Sequence, residues 1–374
     1  MVNESAFAPW DDPDATPLIR VEGVTKRFGE FTAIDDLSLD IYPKEFFALL
    51  GPSGCGKTTL MRMLAGFEAP SGGRITLGGE DMAGVAPNVR PVNMMFQSYA
   101  LFPHLSVAEN IAFGLKREGM AKDRIAARVD EMLKLVQLEK FARRKPHQIS
   151  GGQRQRVALA RSLAKAPKLL LLDEPLGALD KKLRQDTQFE LMDIQERTGT
   201  TFVIVTHDQE EAMTVASRVA VMNNGLLMQV DPPEKIYEAP NSVYVADFIG
   251  DVNLIEGRCT AAGPLAELSW AEGQGALIGQ PGAGLVRDQA ATFAIRPEKI
   301  AISREEPEAQ NRIRGKIVDI GYLGNLSTYH VEVPGGPVVT CEVGNRSRVS
   351  RRDFTWDDEV WLSWSETAGL VLAS

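Results

Sequence analysis

The stretch that decides the fold is Gly51-Pro-Ser-Gly-Cys-Gly-Lys-Thr58, which matches the pattern of a phosphate-binding loop over its whole length. The apolar run Phe46–Leu50 before it predicts a strand, and residues 59–64 after it predict a helix. In such a loop the backbone N–H groups cradle a triphosphate, the lysine reaches the β- and γ-phosphates, and the threonine hydroxyl binds Mg²⁺. The predicted nucleotide contacts are Gly51, Pro52, Ser53, Gly54, Cys55, Gly56, Lys57, Thr58 and Thr59, with Thr58 also a metal ligand.

A second motif, Leu169-Leu-Leu-Leu-Asp173-Glu174, is an apolar run that ends in two carboxylates. Uninterrupted apolar runs are typical of strands buried on both faces of a parallel sheet. Adjacent residues of a strand point to opposite sides, so the two carboxylates can have different roles. We predict that Asp173 holds Mg²⁺ or its water, and that Glu174 is the general base for the attacking water. A solvated strand end is the alternative, and the phosphate loop upstream disfavours it.

A third motif, Ser150-Gly-Gly-Gln-Arg154, precedes a helical pattern that includes residues 157–164. Serine is a good N-cap, and the free N–H groups at the start of a helix attract phosphate. Ser150, Gly151, Gly152 and Gln153 are therefore candidate contacts for a nucleotide. Simple helix capping is the alternative when this tetrad is considered alone.

Two polar residues follow further apolar runs. Gln97 comes directly after Met94-Met-Phe96, and His207 comes directly after Val203-Ile-Val-Thr206. At the end of a strand, the Gln97 amide could reach Mg²⁺ or the attacking water, and the His207 imidazole could polarise the γ-phosphate. Taken singly, a surface glutamine and a structural histidine are the alternatives.

Composition excludes several classes of protein. The 374 residues carry a formal net charge of −9, which argues against a general nucleic-acid binder. Three cysteines, Cys55, Cys259 and Cys341, are widely separated and have no metal-site spacing. No apolar run reaches the ~18–20 residues that a membrane-spanning helix needs. The sequence indicates a protein of a reducing compartment that relies on partners for any membrane process.

The chain predicts an α/β domain followed by an all-β domain. Residues 1–17 are acidic and proline-rich and are predicted to be a disordered tail. Residues 18–245 form the α/β domain, with a helical subdomain at about 98–165 in which residues 123–141 have helical spacing. Residues 246–374 contain short alternating runs, such as 316–320, 328–333 and 359–364, which predict strands of a barrel or sandwich.

The order of these motifs resembles that of an ABC-type ATPase over residues 18–240. The resemblance implies that Gln97 is the Q-loop glutamine, Ser150–Gln153 the signature and His207 the switch histidine. It also identifies Asp180, in Ala178-Leu179-Asp180, as the D-loop acid that contacts nucleotide, and Phe28 as the aromatic ring that stacks on adenine. A buried core phenylalanine is the alternative for Phe28.

The same resemblance implies how such subunits work. Two copies meet head to tail, so that each ATP lies between one phosphate loop and the signature of the other copy. ATP binding closes the dimer, and hydrolysis with loss of phosphate opens it. Two positions depart from the family pattern: Ile149 stands where leucine is usual, and Gly177 stands where serine is common. The second departure removes a hydroxyl from the dimer contact.

The C-terminal domain resembles the OB-like, TOBE-type regulatory domain of importer ATPases. Ile295-Arg-Pro-Glu298 and Gly321-Tyr-Leu-Gly324 match its recurring motifs. The resemblance implies a module that helps two subunits pair, with binding of a regulator as the alternative. Residues 98–104, which include Tyr99, Leu101 and Phe102, are expected to receive the coupling helices of the membrane partners, with a local mini-core as the alternative.

Within this group the chain resembles ATPases of bacterial putrescine and spermidine importers, through residues 90–103, 144–148 and 329–330. The expected partners are a second copy, two permease subunits and a periplasmic solute-binding protein, at the cytoplasmic face of the inner membrane. ATP and Mg²⁺ are the expected cofactors. Three alternatives stay open: an importer of iron, sulfate, a sugar or a phosphodiester, an ABC ATPase without a transport role, and a non-catalytic subunit.

Overall fold

The computed structural model describes residues 7–177, 181–345 and 353–374. The chain forms two compact units, one ending at Pro233 and the other beginning at Glu234. The first unit contains the phosphate loop and all the motifs that were assigned to nucleotide binding. No helix in the described ranges combines the length and the apolar character that crossing a bilayer requires.

The first unit contains two sheets. Its strands are β1 (Ile19–Phe28), β2 (Phe31–Ile41), β3 (Phe46–Leu50), β4 (Gly72–Leu77), β5 (Glu80–Asp81), β6 (Val92–Met95), β7 (Leu169–Asp173), β8 (Thr201–Thr206), β9 (Arg218–Asn223) and β10 (Leu226–Asp231). An antiparallel sheet has the order β2-β1-β4-β5, and a six-stranded sheet has the order β10-β9-β3-β8-β7-β6. In the larger sheet only the β9–β10 pairing is antiparallel.

The helices of the first unit pack either on strands of the larger sheet or on other helices. They are α1 (Lys57–Ala65), α2 (Val107–Arg117), α3 (Lys122–Leu135), α4 (Gly151–Leu163), α5 (Lys181–Thr198) and α6 (Gln209–Val215). The helical spacing predicted over residues 123–141 extends beyond the end of α3, because Gln137 has a φ of +56° that an α-helix does not allow. Glu139–Phe141 instead forms a short 3-10 helix.

Burial explains why the central strands read as apolar runs in the sequence. All five residues of β3 are buried, and Leu169–Leu172 in β7 are each 0% exposed. Both strands lie inside a parallel sheet with helices on its faces, where neither side of a strand contacts water. The α/β fold class predicted for the first part of the chain is therefore confirmed.

The second unit is mainly β-structure. After the helices α7 (Pro233–Glu238) and α8 (Val243–Phe248), its strands are β11 (Asn253–Ala262), β12 (Ala266–Ser269), β13 (Leu277–Pro281), β14 (Ala290–Ile295), β15 (Ala301–Ser303), β16 (Asn311–Tyr322), β17 (Leu326–Glu332), β18 (Val338–Gly344), β19 (Glu359–Trp364) and β20 (Leu370–Ala373). A closed barrel has the order β11-β12-β13-β20-β14, and a five-stranded sheet has the order β15-β19-β16-β17-β18. The predicted all-β domain is confirmed.

The division between the units lies before the predicted boundary of 245/246. The reason is Arg296, which is 4% exposed and belongs to the Ile295–Glu298 motif. Its guanidinium donates hydrogen bonds to the carbonyls of Tyr237, Ala246 and Asp251. These bonds attach α7 and α8 to the β-structure that follows them.

In the described part of the N-terminal segment, residues 7–17, the structure differs from the prediction of a disordered tail. Pro9–Asp11 forms a 3-10 helix, and the Trp10 ring lies 4.8 Å from the guanidinium of Arg218. That guanidinium is 9% exposed and forms an ion pair with Glu45, whose side chain is 0% exposed. Because a cation attracts the face of an aromatic ring, Trp10 has a specific site on the first unit.

Candidate functional site

The parallel strands bring the predicted site residues to one edge of the larger sheet. Neighbouring strands run in the order β3-β8-β7-β6, so their carboxyl ends lie side by side. Gly51 follows β3, Asp173 ends β7, His207 follows β8, and Gln97 comes shortly after β6. In open α/β sheets, ligands bind at this edge.

The phosphate loop surrounds its own lysine. The Lys57 side chain is largely buried, and its Nζ atom donates hydrogen bonds to the carbonyl oxygens of Gly51 at 2.6 Å and Pro52 at 2.9 Å. Gly56 has a φ of +107°, which a side chain would oppose, and it directly precedes α1. Because the first N–H groups of a helix lack intrahelical acceptors, the loop offers donors and a cation to an anion.

The carboxylate of Glu174 is held from two sides. Its Oε2 atom accepts a 3.0 Å hydrogen bond from Nε2 of Gln97, and its Oε1 atom lies 3.0 Å from Nδ1 of His207. Glu174 also has a φ of +43°, an unfavourable conformation for a residue with a side chain. The structure therefore joins the three residues that the sequence analysis assigned to catalysis.

Asp173 and Thr58 are the two residues predicted to offer oxygen atoms to a magnesium ion. Burial raises the pKa of Asp173, and the neighbouring charge of Glu174 raises it further, whereas Arg62 lowers it. Within the described ranges, no group of three or more His, Cys, Asp or Glu side chains could hold a metal alone. Mg²⁺ commonly uses one or two carboxylates and completes its shell with phosphate oxygens and water, so this donor set fits it.

Ser150 begins α4 with a capping box. Its hydroxyl accepts a hydrogen bond from the Gln153 N–H at 3.3 Å, and the Gln153 side chain accepts one from the Ser150 N–H at 2.9 Å. Ser150 is exposed, and a Cβ atom built on Gly151 would have no neighbour closer than 3.9 Å. Ser150 therefore caps the helix while the start of the helix stays open. Helix capping at Ser150 does not exclude binding of an anion there.

Phe28 lies at the end of β1 and is 46% exposed, so the alternative of a buried core phenylalanine is wrong. The Lys26 ammonium lies 4.7 Å from the centre of its ring. That ammonium donates to the Ala69 carbonyl at 2.8 Å and forms an ion pair with Glu68 at 3.1 Å. Lys26 therefore supports one face of an exposed aromatic ring, a contact that the sequence analysis did not predict.

Two further predictions concern the region after Glu174. Asp180 lies outside the described residues. Gly177 is described, and a Cβ atom built on it would come no closer than 3.7 Å to its neighbours. A serine would therefore fit at this position, and packing does not explain the glycine.

Residues 98–104 pack locally through half-buried side chains, and none of the seven residues is fully buried. The ring of Phe102 packs 4.3 Å from that of Phe113, and Arg161 lies over it while donating to the carbonyls of Tyr99 and Ala100. The exposed aromatic side chains nearby are those of Phe67 and Phe96, at 49% and 40%, with ring centres 6.4 Å apart. The expected docking of partner helices at 98–104 stays a prediction.

The turn that carries His207 contains residues that the sequence analysis missed. The Thr206 hydroxyl accepts a hydrogen bond from the Asp208 N–H at 2.9 Å and donates one to the Glu211 carboxylate. The Asp208 side chain caps α6 and forms an ion pair with Arg184 of α5. The spacing of an aspartate and a glutamate three residues later is a helix-start signal that could have identified the pair.

Comparison with known proteins extends these observations. Residues 34–177 match the family model described as ABC transporter, and residues 293–372 match the TOBE domain. The putrescine transport ATP-binding protein PotG of Escherichia coli is 52% identical over 96% of this chain and 95% of its own length. The spermidine/putrescine import ATP-binding protein PotA of Nitrosospira multiformis is 48% identical over 95% of this chain and 98% of its own length.

Solved structures of ABC transporter proteins are also similar to part of this chain. CbiO1 of Clostridium perfringens, part of an ABC transporter complex, aligns with a TM-score of 0.56 and 30% identity over 59% of this chain and 90% of its own. The cassette MJ0796, in a dimeric post-hydrolysis state with ADP and phosphate, aligns with a TM-score of 0.51 and 31% identity over 57% of this chain and 98% of its own. The chain therefore belongs to the ABC transporter family, as an ATPase with a C-terminal TOBE domain.

Proposed function

We propose that this ATPase energises the import of polyamines, with putrescine and spermidine as its transported solutes. The observation that carries the catalytic part is the position of the Glu174 carboxylate, held between Gln97 and His207 at the sheet edge from which the phosphate loop also extends. The transported solute is proposed from the printed names of relatives that are 48–52% identical over almost the whole chain.

The chain's own groups divide the work of hydrolysis. Lys57 neutralises charge on the β- and γ-phosphates, and the N–H groups at the start of α1 bind their oxygens. Glu174 accepts a proton from the attacking water. Gln97 and His207 orient the carboxylate, and the second ring nitrogen of His207 is available to the γ-phosphate. Phe28 stacks on adenine with its open face, while Lys26 supports the other.

Magnesium would be held by the Thr58 hydroxyl and the Asp173 carboxylate, with Gln97 as a third candidate ligand. When bound, the cation would neutralise charge on the phosphate oxygens. Its positive charge would also favour ionised Asp173, whose pKa burial raises. The Gln97 amide can serve both groups, because its NH₂ donates to Glu174 while its oxygen stays an acceptor.

Two copies of the chain are proposed to form the complete active sites. Ser150–Gln153 of one copy covers the phosphates bound by Lys57 of the other, and Asp180 completes the contact. The glycine-rich start of α4, with its exposed N-cap Ser150, supports this arrangement, because its N–H groups can serve as a second anion site separate from the phosphate loop. Closing the pair removes water from the γ-phosphate, which strengthens the interactions of the surrounding donors.

The transport complex is proposed to contain this dimer, two permease subunits and a periplasmic solute-binding protein. The dimer binds at the cytoplasmic face of the bacterial inner membrane, with residues 98–104 near the coupling helices. The apolar pair Phe67 and Phe96 supports a protein contact in this region, because both rings are exposed and lie close together. The TOBE domain contributes to pairing of the two copies.

The test is reconstitution of the ATPase with polyamine permeases in liposomes. Binding protein loaded with putrescine or spermidine should raise the ATPase rate and drive uptake of the labelled polyamine. Binding proteins loaded with sulfate, maltose or ferric iron, each with its own permeases, are the controls. Stimulation only by one of these controls would reject the polyamine assignment while leaving the ATPase intact. Absence of hydrolysis with every set of permeases would instead favour a non-catalytic subunit.

A further inference from the structure

The imidazole of His207 has little packing to hold it. Its side chain is 59% exposed, and its described hydrogen bond is the 3.0 Å contact between Nδ1 and the Glu174 carboxylate. An exposed side chain keeps one orientation only if the backbone that carries it is fixed. The backbone of the turn around His207 must therefore fix the orientation of the imidazole, because side-chain packing does not.

A ring of hydrogen bonds fixes that turn. The Asp208 N–H donates to the Thr206 hydroxyl at 2.9 Å, and this hydroxyl donates its own proton to Oε2 of Glu211. The Glu211 N–H then donates to Oδ1 of Asp208 at 3.1 Å, which closes the ring. His207 lies between two members of the ring and has no side-chain part in it.

Glutamate is an unusual residue at position 211, because its carboxylate is buried. The residue is 2% exposed, and its Oε1 atom is buried without a hydrogen-bond partner among the described residues. A buried carboxylate with one unsatisfied oxygen costs free energy that an amide or an apolar residue would avoid. A residue that destabilises its own site is a candidate for a functional role.

The ring is also attached to a second element. Asp208, the N-cap of α6, forms an ion pair with Arg184, which lies in the first turns of α5. Helix α5 begins at Lys181, directly after the segment that contains Asp180. The turn that carries His207 is therefore tied both to β8, through Thr206, and to the helix that follows the predicted dimer contact.

We propose that Glu211 is a positioning residue for hydrolysis, which acts through Thr206 and Asp208 to hold His207 against the Glu174 carboxylate. This inference rests on the proposed roles of Glu174 and His207. It adds a carboxylate that touches neither nucleotide nor metal, and it predicts that loss of this carboxylate affects turnover rather than nucleotide binding.

The charges around Glu211 make the proposal sensitive to pH. Helix α6 packs against α5, β3 and β8, and β3 presents only apolar residues. The charged groups that act on Glu211 are Asp208 in its own turn, Arg184 on α5 and Glu174 after β7. Burial, followed by repulsion from Asp208 and Glu174, raises the pKa of Glu211 to about 7, although Thr206 and Arg184 oppose the shift. The carboxyl group therefore changes charge near neutral pH.

The test compares three variants of the full chain in the reconstituted transporter. Glu211→Ala removes the acceptor of the Thr206 hydroxyl, and we expect kcat to fall by about tenfold to 10²-fold because small displacements of catalytic groups have effects of this size. The KM for ATP should stay within about twofold, since no nucleotide contact is lost. Glu211→Gln keeps an oxygen acceptor and should recover most of the lost rate. Glu210→Gln, an exposed neighbour on the same helix, is the matched control.

The dependence of kcat on pH separates positioning from simple structural support. An ionised carboxylate accepts the Thr206 proton more strongly than a neutral acid, so the wild-type rate should rise between pH 6 and 8. Glutamine has no charge to gain, and Glu211→Gln should show a shallower rise over the same interval, whereas Glu210→Gln should follow the wild type. This comparison uses a variant whose side chain keeps the buried volume of the glutamate.

The outcomes distinguish this inference from the proposed function. Glu174→Gln, measured in parallel, tests the general base on its own. If Glu174→Gln abolishes turnover while Glu211→Ala keeps the wild-type kcat and Glu211→Gln keeps the wild-type pH profile, the positioning role is refuted and the base assignment stands. If Glu211→Ala instead raises the KM for ATP in proportion to its loss of kcat/KM, Glu211 supports nucleotide binding and the inference is wrong.

Discussion

Gln97 and Glu174 are 77 positions apart in the chain, and the amide of the first donates a 3.0 Å hydrogen bond to the carboxylate of the second. The two residues follow β6 and β7, neighbouring parallel strands that end at the same edge of the sheet. The backbone of Glu174 has a φ of +43°, which aims its side chain toward Gln97 on one side and His207 on the other. A conformation that costs free energy is a candidate for a functional role, and this one accompanies the position of the carboxylate between the two side chains, as the proposed general base requires.

Replacing Glu174 by glutamine should separate nucleotide binding from turnover. The amide keeps the size of the side chain but cannot accept the proton of the attacking water, so kcat should fall by about 10²–10⁴-fold. ATP affinity and ATP-dependent dimerisation should persist, as measured by equilibrium binding and size-exclusion chromatography with ATP. Glu196→Gln, at an exposed position of α5, serves as the control. Hydrolysis at a near-normal rate in Glu174→Gln would remove the assignment of this residue as the base.

Mixing two inactive variants tests whether each active site uses both copies. Lys57→Ala removes the cation of the phosphate loop, and loss of a charge-assisted contact of ~1.5–3 kcal/mol should weaken ATP binding by roughly 10–100-fold. Ser150→Arg places a bulky cation at the exposed start of α4. Each variant alone should be inactive. A mixed dimer pairs the intact phosphate loop of one copy with the intact signature of the other and therefore regains one site.

Equal amounts of the two variants should recover about a quarter of the wild-type activity, since half of randomly formed pairs are mixed and each has one intact site of two. The ATPase rate of co-refolded mixtures in the presence of permeases is the measurement. Sites formed within single chains would give no recovery at any ratio. The control mixture combines Ser150→Arg with Lys122→Ala, at an exposed position of α3. It measures how the ATPase rate changes when Ser150→Arg is mixed with a chain whose two motifs are intact.

Phe28 and Lys26 should control affinity for the nucleobase without affecting the phosphates. Loss of a stacked base costs ~1–3 kcal/mol, so Phe28→Ala should weaken ATP binding by roughly 5–100-fold, and Phe28→Tyr should preserve it. Lys26→Met keeps the length of the side chain but removes the ammonium 4.7 Å from the ring, and it should weaken binding by a smaller factor of the same sign. Tripolyphosphate, which has no base, should bind all four proteins alike. A parallel loss of tripolyphosphate binding would show that the phosphate loop was disturbed instead.

Local sequence predicted the elements of the site well. Phe46–Leu50 was predicted as a strand with the bounds of β3, and Ser150 was predicted as the N-cap of the helix that begins at Gly151. Both predictions rest on patterns within about ten consecutive residues, where the spacing of apolar and capping residues decides the structure. The common edge that unites Gln97, Asp173 and His207 could also be expected, because strands of a parallel sheet end together.

Contacts between distant segments could not be predicted in the same way. Arg296 donates hydrogen bonds to carbonyls of α7 and α8, so the two units divide earlier in the chain than predicted. No local sequence pattern identifies a guanidinium that will be buried. Trp10 was assigned to a disordered tail because proline and acidic residues dominate its surroundings, yet one cation on a distant strand gives it a site. The contact between Lys26 and Phe28 could likewise not be predicted, because the sequence shows both residues but not the position of the ammonium over the ring.

Arg296 should stabilise the second unit. Its guanidinium stacks 4.2 Å from the centre of the Tyr237 ring and donates to three carbonyls. Arg296→Met keeps part of the buried volume but leaves those carbonyls unsatisfied, so the free energy of unfolding should fall by ~2–4 kcal/mol. Thermal unfolding of the full chain, followed by calorimetry, should show a lower transition for this variant, and Arg287→Met at an exposed position should not. An unchanged transition in Arg296→Met would mean that water satisfies the carbonyls as well as the guanidinium does.

Glu211 should make the enzyme less stable as the pH rises. The pKa of this carboxyl is raised from 4.5 to about 7 in the folded protein, so between these values the folded state holds a proton that the unfolded state has released. The unfolding free energy therefore falls as the pH increases through that interval, and the loss is complete above about pH 7. A shift of this size corresponds to at most about 3 kcal/mol. Glutamine does not titrate, and Glu211→Gln should gain stability over the wild type as the pH is raised from 5 to 8.

The measurement is the difference in denaturant midpoint between the two proteins at a series of pH values. The Glu210→Gln control should show little change in this difference across the series. A constant difference between Glu211→Gln and the wild type from pH 5 to 8 would mean that Glu211 ionises as readily in the folded chain as in the unfolded one. The other outcome is that Glu211→Gln gains stability with pH and also shows the shallower kcat–pH profile. Both effects require the ionised carboxylate beside Thr206. The buried charge that destabilises the fold would then be the charge that supports turnover.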